Sequence, residues 1–134
     1  LYLDETNDRL YVSTLFTNAA NILTTNSDTA KGSIAIFDNV SSVTGGQPPS
    51  RHIFGDLTQL KQPHGCLLDE SRNILYVANS FGCNILVFNN ASTRTGNTAP
   101  DRIISSANTS TPVFIFIDDY CFVILVIVVI FMLD

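Results

Sequence analysis

Along most of this chain, apolar residues arrive in short runs separated by clusters of Asn, Asp, Ser, Thr, Gly and Pro. That pattern predicts short β-strands joined by turns, and no ten-residue stretch carries the spacing of an amphipathic helix. The second half shows it most clearly. Pro63-His64-Gly65 leads into a strand over 66–69, a turn at Ser71-Arg72-Asn73 and a strand over 74–78. A turn region at Ser80-Phe81-Gly82, a strand over 84–88, a polar loop over 89–100 and a strand over 102–104 follow. The first half gives strands over 1–4, 9–12, 33–37 and 51–54. Ile34-Ala35-Ile36-Phe37 and Ile85-Leu86-Val87-Phe88 are apolar at every position, the mark of strands covered on both faces. A parallel sheet would need crossover helices, so the expected class is all-β with antiparallel four-stranded sheets.

The two halves are copies of one another. Leu3-Asp4-Glu5-Thr6-Asn7-Asp8-Arg9-Leu10-Tyr11-Val12 recurs as Leu68-Asp69-Glu70-Ser71-Arg72-Asn73-Ile74-Leu75-Tyr76-Val77, identical at six of ten positions. Phe37 aligns with Phe88, Arg51 with Arg102, Pro63 with Pro112 and Asp69 with Asp118. The unit is about fifty residues, within the range of repeats that stack their apolar faces. The first copy carries an insertion of about fourteen residues, read as an exposed Thr/Asn-rich loop over 14–31. The expected organisation is a first unit over 1–62, a second over 63–111, and the start of a third over 112–134. Ile117-Asp118-Asp119 opens that third copy, in which Phe114 replaces the glycine found at Gly65. After Tyr120 the register is lost, and thirteen apolar residues run from Cys121 to Leu133.

Pro63-His64-Gly65-Cys66-Leu67-Leu68-Asp69, Ile74-Leu75-Tyr76-Val77-Ala78-Asn79 and Asn84-Ile85-Leu86-Val87-Phe88-Asn89 together resemble the NHL-type β-propeller repeat. The resemblance covers residues 1–118 and rests on three spaced motifs that agree twice. It implies antiparallel four-stranded blades in a ring, commonly six, around a channel lined by the first strand of each blade. On this reading the chain is a fragment of about two blades. An apolar blade face of ~300 Å² left uncovered forfeits ~7 kcal/mol at ~25 cal/mol per Å², so missing blades or self-association are expected partners. The apolar end over 113–133 is read as a strand or a non-native tail ahead of a membrane span. Its uninterrupted part, Tyr120 to Leu133, is fourteen residues and makes only ~21 Å of helix against a ~30 Å hydrocarbon core, and reaching back to Val113 brings in Asp118 and Asp119.

Composition narrows the function without naming it. Hydrophobic residues make up 46% and charged residues 14%, which excludes a disordered chain. The net charge is -5 and no Lys/Arg cluster exists, which argues against nucleic acid and anionic membrane surfaces. Cys66, Cys83 and Cys121 are odd in number and form no C-x-x-C, so a reduced thiol buried in a strand is the plain reading. Asn39-Val40-Ser41, Asn90-Ala91-Ser92 and Asn108-Thr109-Ser110 match the glycosylation sequon, but the first two share one repeat position that turn chemistry explains. The chain starts at Leu1 with strand-like residues, read as a cut edge.

Few residues suggest chemistry. Asp4, Asp69 and Asp118 end the first strand of each unit, where a ring of carboxylates would take a cation or, more simply, cap the following turn. His64 lies at the start of its strand, a ligand-binding position, whereas His52 falls on an outer strand. No nucleophile elbow, phosphate loop, dinucleotide fingerprint or zinc spacing is present, so no catalytic residue, metal or cofactor is assigned. The expected function is a non-enzymatic binding or scaffold segment of a secreted or cell-surface protein, its ligand a protein or small molecule. The alternative implied by the resemblance is part of a propeller lyase or lactonase with a channel metal and His64 as a participant.

Overall fold

The computed structural model describes residues 1–17 and 31–105, and over these the protein is all-β. The eight strands are β1 (Tyr2–Asp4), β2 (Arg9–Thr17), β3 (Lys31–Asp38), β4 (Arg51–Ile53), β5 (Pro63–Asp69), β6 (Ile74–Asn79), β7 (Asn84–Asn89) and β8 (Arg102–Ile104). They form two antiparallel four-stranded meanders, β1-β2-β3-β4 and β5-β6-β7-β8, neither of them closed. The expected ends of the apolar tail, the sequon at Asn108 and the third copy with Asp118 lie outside the described residues.

The repeat reappears as matching register. Asp4 pairs with Arg9 and Leu3 with Leu10 in the first sheet, while Asp69 pairs with Ile74 and Leu68 with Leu75 in the second. Leu10 then faces Phe37 across β2 and β3, as Leu75 faces Phe88 across β6 and β7. The turns repeat as well. Asp8 and Asn73 hold positive φ angles of 52° and 56°, which Asp and Asn tolerate better than other side-chain-bearing residues.

Three strands extend well beyond the expected bounds. β2 runs to Thr17 and β3 starts at Lys31, with a ladder irregularity between Thr14 and Thr17. The strand pair therefore climbs into the segment read as a loop, where Thr14 suits a pleated surface because it is β-branched. β5 likewise begins at Pro63, three residues early, with a register slip between Pro63 and Gly65.

The sheets stack face to face. One core joins Tyr11, Ile34, Ile36 and Ile53 of the first sheet to Cys66, Leu68, Leu75, Val77, Leu86 and Phe88 of the second. The Cys66 thiol reaches the Tyr11 carbonyl at 3.6 Å across that seam. Repeat alignment shows that the two contributing faces are different. The first sheet presents the Tyr11, Ile34, Ile36 and Ile53 side, whose counterparts in the second sheet are Tyr76, Ile85, Val87 and Ile104. Those counterparts form a separate cluster on the far side of the second sheet. Conversely, Leu3, Leu10, Val12, Ala35 and Phe37 match the buried side of the second sheet, yet Leu3 is 45% exposed and the others are half-buried. The stacking is thus head-to-tail, with each sheet showing one kind of face to its neighbour and the other kind outward.

The connection between sheets is fixed by Asn79, which is 1% exposed at the end of β6. Its carboxamide oxygen accepts the Lys61 backbone N–H at 2.5 Å. Its Nδ2 donates to the Gln59 carbonyl at 3.0 Å and to Asn84 Oδ1 at 2.9 Å. The linking backbone over 59–61 would otherwise leave these groups unpaired. A second tie crosses near the opposite edge. The loop after β7 lays Gly96 beside β4, with Gly96 N donating to the His52 carbonyl at 2.7 Å and Phe54 N to the Gly96 carbonyl at 3.2 Å.

Candidate functional site

At the rim where β1 turns into β2 and β5 into β6, the repeated carboxylates act as turn caps. Asp4 accepts the Asn7 backbone N–H at 2.9 Å and the Asn7 amide at 3.0 Å. Asp69 accepts the Arg72 backbone N–H at 3.0 Å and the Ser71 hydroxyl at 2.7 Å. The Ser71 bond, followed by the Arg72 contacts, holds the Asp69 carboxyl below its ordinary range against the opposing effect of burial. In both copies a backbone N–H three residues on is satisfied by the side chain, as expected for Asp before a tight turn. Their surroundings differ because of the head-to-tail stacking. Asp4 points toward the second sheet and is fully buried, whereas Asp69 points away from the first and stays half-exposed.

A second layer of the same rim uses the sequon serines. Ser41 donates its backbone N–H and its hydroxyl to the Asp8 carboxylate at 2.9 and 2.7 Å. Ser92 donates its N–H to Asn73 Oδ1 at 2.8 Å and accepts from Asn73 Nδ2 at 2.9 Å. The preceding Asn39 and Asn90 share a φ of 55°. Left-handed asparagine followed by a turn-bonding serine is a structural requirement of both copies, and it accounts for the matched sequons.

Beside these turns runs a charged seam. Asp38 accepts Arg9 Nε at 2.9 Å, Arg51 Nη2 at 2.8 Å and Arg51 Nε at 3.1 Å. Arg51 also donates through Nη1 to the Ala91 carbonyl at 2.9 Å, so one guanidinium ties the sheets together. The Arg51 hydrogen bond is the main reason the Asp38 carboxyl titrates below its usual range.

His64 lies apart from Asp4 and Asp69. It is exposed at the second residue of β5, five positions before Asp69, so ~17 Å of extended strand separates the two. Among the described residues, no three His, Cys, Asp or Glu side chains are grouped to hold a metal. Asp118 lies outside the described residues.

His52 sits in a polar network of its own. Its Nε2 lies 2.7 Å from Ser33 Oγ, which in turn lies 2.6 Å from Thr14 Oγ1. Burial lowers the His52 pKa below its ordinary value, and its ring stands 4.9 Å from that of Phe54. A Ser–His pair suggests a nucleophile, but Ser33 is fully buried and, among the described residues, no carboxylate is bonded to the imidazole. The group is a cross-strand polar network. Sequence reading missed it because Thr14, Ser33 and His52 meet only through the registers of β2 with β3 and β3 with β4.

The concave feature of this rim is a polar cleft of about 310 Å³ between the two sheets. Asp4, Asn7 and Arg9 line it from one side, and Leu68, Glu70 and Ser92 from the other. Tyr2 donates its hydroxyl to Glu70 Oε1 at 3.1 Å. Burial first, and the Glu70 bond second, push the Tyr2 phenol up to about 12, so it stays a proton donor throughout the ordinary range. The cleft was not legible in the sequence, since its two walls come from opposite faces of neighbouring copies.

Compared with protein families, with curated proteins and with solved structures, the chain finds no match in any of the three.

Proposed function

We propose that this chain is a binding or scaffold segment built from NHL-like propeller repeats, completed by further units of the same kind. The observation that carries the reading is the head-to-tail stacking of two register-matched sheets. Each sheet offers a Leu/Val/Phe face to one neighbour and a Tyr/Ile face to the other. Heterologous stacking of this type has no internal end, and it closes only as a ring or continues as a stack. The outward Leu3, Leu10, Val12, Ala35 and Phe37 face matches, position by position, the face already buried on the second sheet. A further Tyr/Ile face supplied by another repeat is its natural cover. The rim supports binding over catalysis, because Asp4 and Asp69 are engaged in turns and His64 stands at the opposite strand end from Asp69.

Purified as residues 1–134, the protein is expected to self-associate and to bind the apolar dye ANS. Phe37→Glu on the outward face reduces both without loss of the β-type circular dichroism spectrum. A cooperative monomer that binds no ANS would refute the proposal.

A further inference from the structure

We infer that the cleft between the two sheets binds a small zwitterion of the α-amino-acid type. Its volume of about 310 Å³ falls at the lower end of small-molecule sites. Its walls carry opposite charges that are not paired with each other. Arg9 uses Nε on Asp38 and makes no other hydrogen bond among the described residues, leaving its two terminal nitrogens to the cleft. Glu70 accepts from Tyr2 through Oε1, and its Oε2 has no partner among the described residues. No ion pair joins Arg9 to Glu70, although both line the same space. A guanidinium with two free nitrogens is suited to a carboxylate, and the opposing carboxylate is suited to an ammonium.

The remaining lining sharpens the class. Asp4 makes three hydrogen bonds with Asn7, so an anion lacking an ammonium group gains no donor there and leaves Glu70 unmatched. Leu68, 6% exposed and part of the inter-sheet core, closes the base of the cleft. Ser92 spends its N–H and one acceptor position on Asn73 and retains a hydroxyl proton for the ligand. Ligands with one charge satisfy one wall and leave the other unpaired.

This inference deepens the binding reading and rests on it. The ANS and association measurements above address the outward faces, so the two claims fail separately. The test titrates the full chain with L-alanine, with ethylammonium and with propionate, followed by calorimetry and by NMR of the rim amides. L-Alanine is expected to bind saturably, and each single-charge half at least about 10-fold more weakly. Glu70→Gln preserves the Tyr2 contact, and it too should weaken L-alanine about 10-fold while the spectrum of the fold is unchanged. Absence of saturable L-alanine binding, equal binding of propionate, or indifference to Glu70→Gln would each overturn the assignment.

Discussion

Replacing Asn79 with alanine tests how the two sheets are held together. The side chain is buried and makes three hydrogen bonds, two of them to the backbone of the linker at Gln59 and Lys61. Truncation removes these and leaves the Lys61 N–H and the Gln59 carbonyl without that partner. A buried group left unsatisfied costs about 1–3 kcal/mol, and the Asn84 bond is worth about 1 kcal/mol. Some of this returns if water or a shift of the linker reaches the freed groups, so the expected loss is about 2–4 kcal/mol. Against a typical total of ~5–15 kcal/mol, that loss is large. Urea denaturation followed by circular dichroism reads it as a lower midpoint with unchanged slope. Limited trypsin digestion reads it locally, as faster cleavage after Lys61. Asn79→Asp keeps the acceptor for Lys61 but sets a carboxylate against the Gln59 carbonyl and Asn84 Oδ1, so it should also destabilise. A loss below about 0.5 kcal/mol with unaltered cleavage at Lys61 would refute the role given to this residue.

Three further outcomes follow from the same contacts. Gly32→Ala would set a Cβ 1.9 Å from the Pro63 ring, an overlap expected to cost about 1–3 kcal/mol, whereas Gly45→Ala meets nothing within 4 Å and should be neutral in the same urea assay. Asp38 has a depressed folded pKa, so its contribution is complete above its unfolded value and is lost as pH falls below about 4; the burial-depressed His52 adds a loss of the same sign starting below about 6.5. Urea midpoints measured across that range should fall in both windows, and Arg51→Gln should flatten the lower one. Cys83 is exposed, while Cys66 is buried with its thiol pushed up to about 11, so iodoacetamide and peptide mapping should find Cys83 modified in the native protein and Cys66 only after unfolding.

Much of the fold was legible because repetition over-determines it. One copy of Leu-Asp-Glu…Leu-Tyr-Val fixes a strand, a turn and a second strand, and the second copy excludes coincidence. The turn role of Asp4 and Asp69 was legible for the same reason, since Asp before a tight turn accepts a nearby backbone N–H wherever it occurs. The ends of β2 and β3 were not. Thr- and Asn-rich composition reads as loop, but strand pairing already under way carries the ladder to Thr17 and Lys31 when nothing in those residues opposes it.

The site was less legible than the fold, for a physical reason visible in equivalent residues. Asp4 and Asp69 have the same sequence context and the same local bonds, yet one is sealed and the other half-open. Leu3 and Leu68 differ in the same way, but with the opposite sense, 45% against 6% exposed. A repeat encodes what each position does within its own sheet, and it is silent about which neighbour covers it. The cleft belongs wholly to that second kind of information. Arg9 stands where the other copy has Ile74, and only stacking of the first sheet's inner face on the second brings that single arginine opposite Glu70. Arg9, which breaks the repeat on a face between copies, is therefore the residue to examine first for binding in this chain, ahead of Asp4 and Asp69, whose turn bonds recur in both described copies.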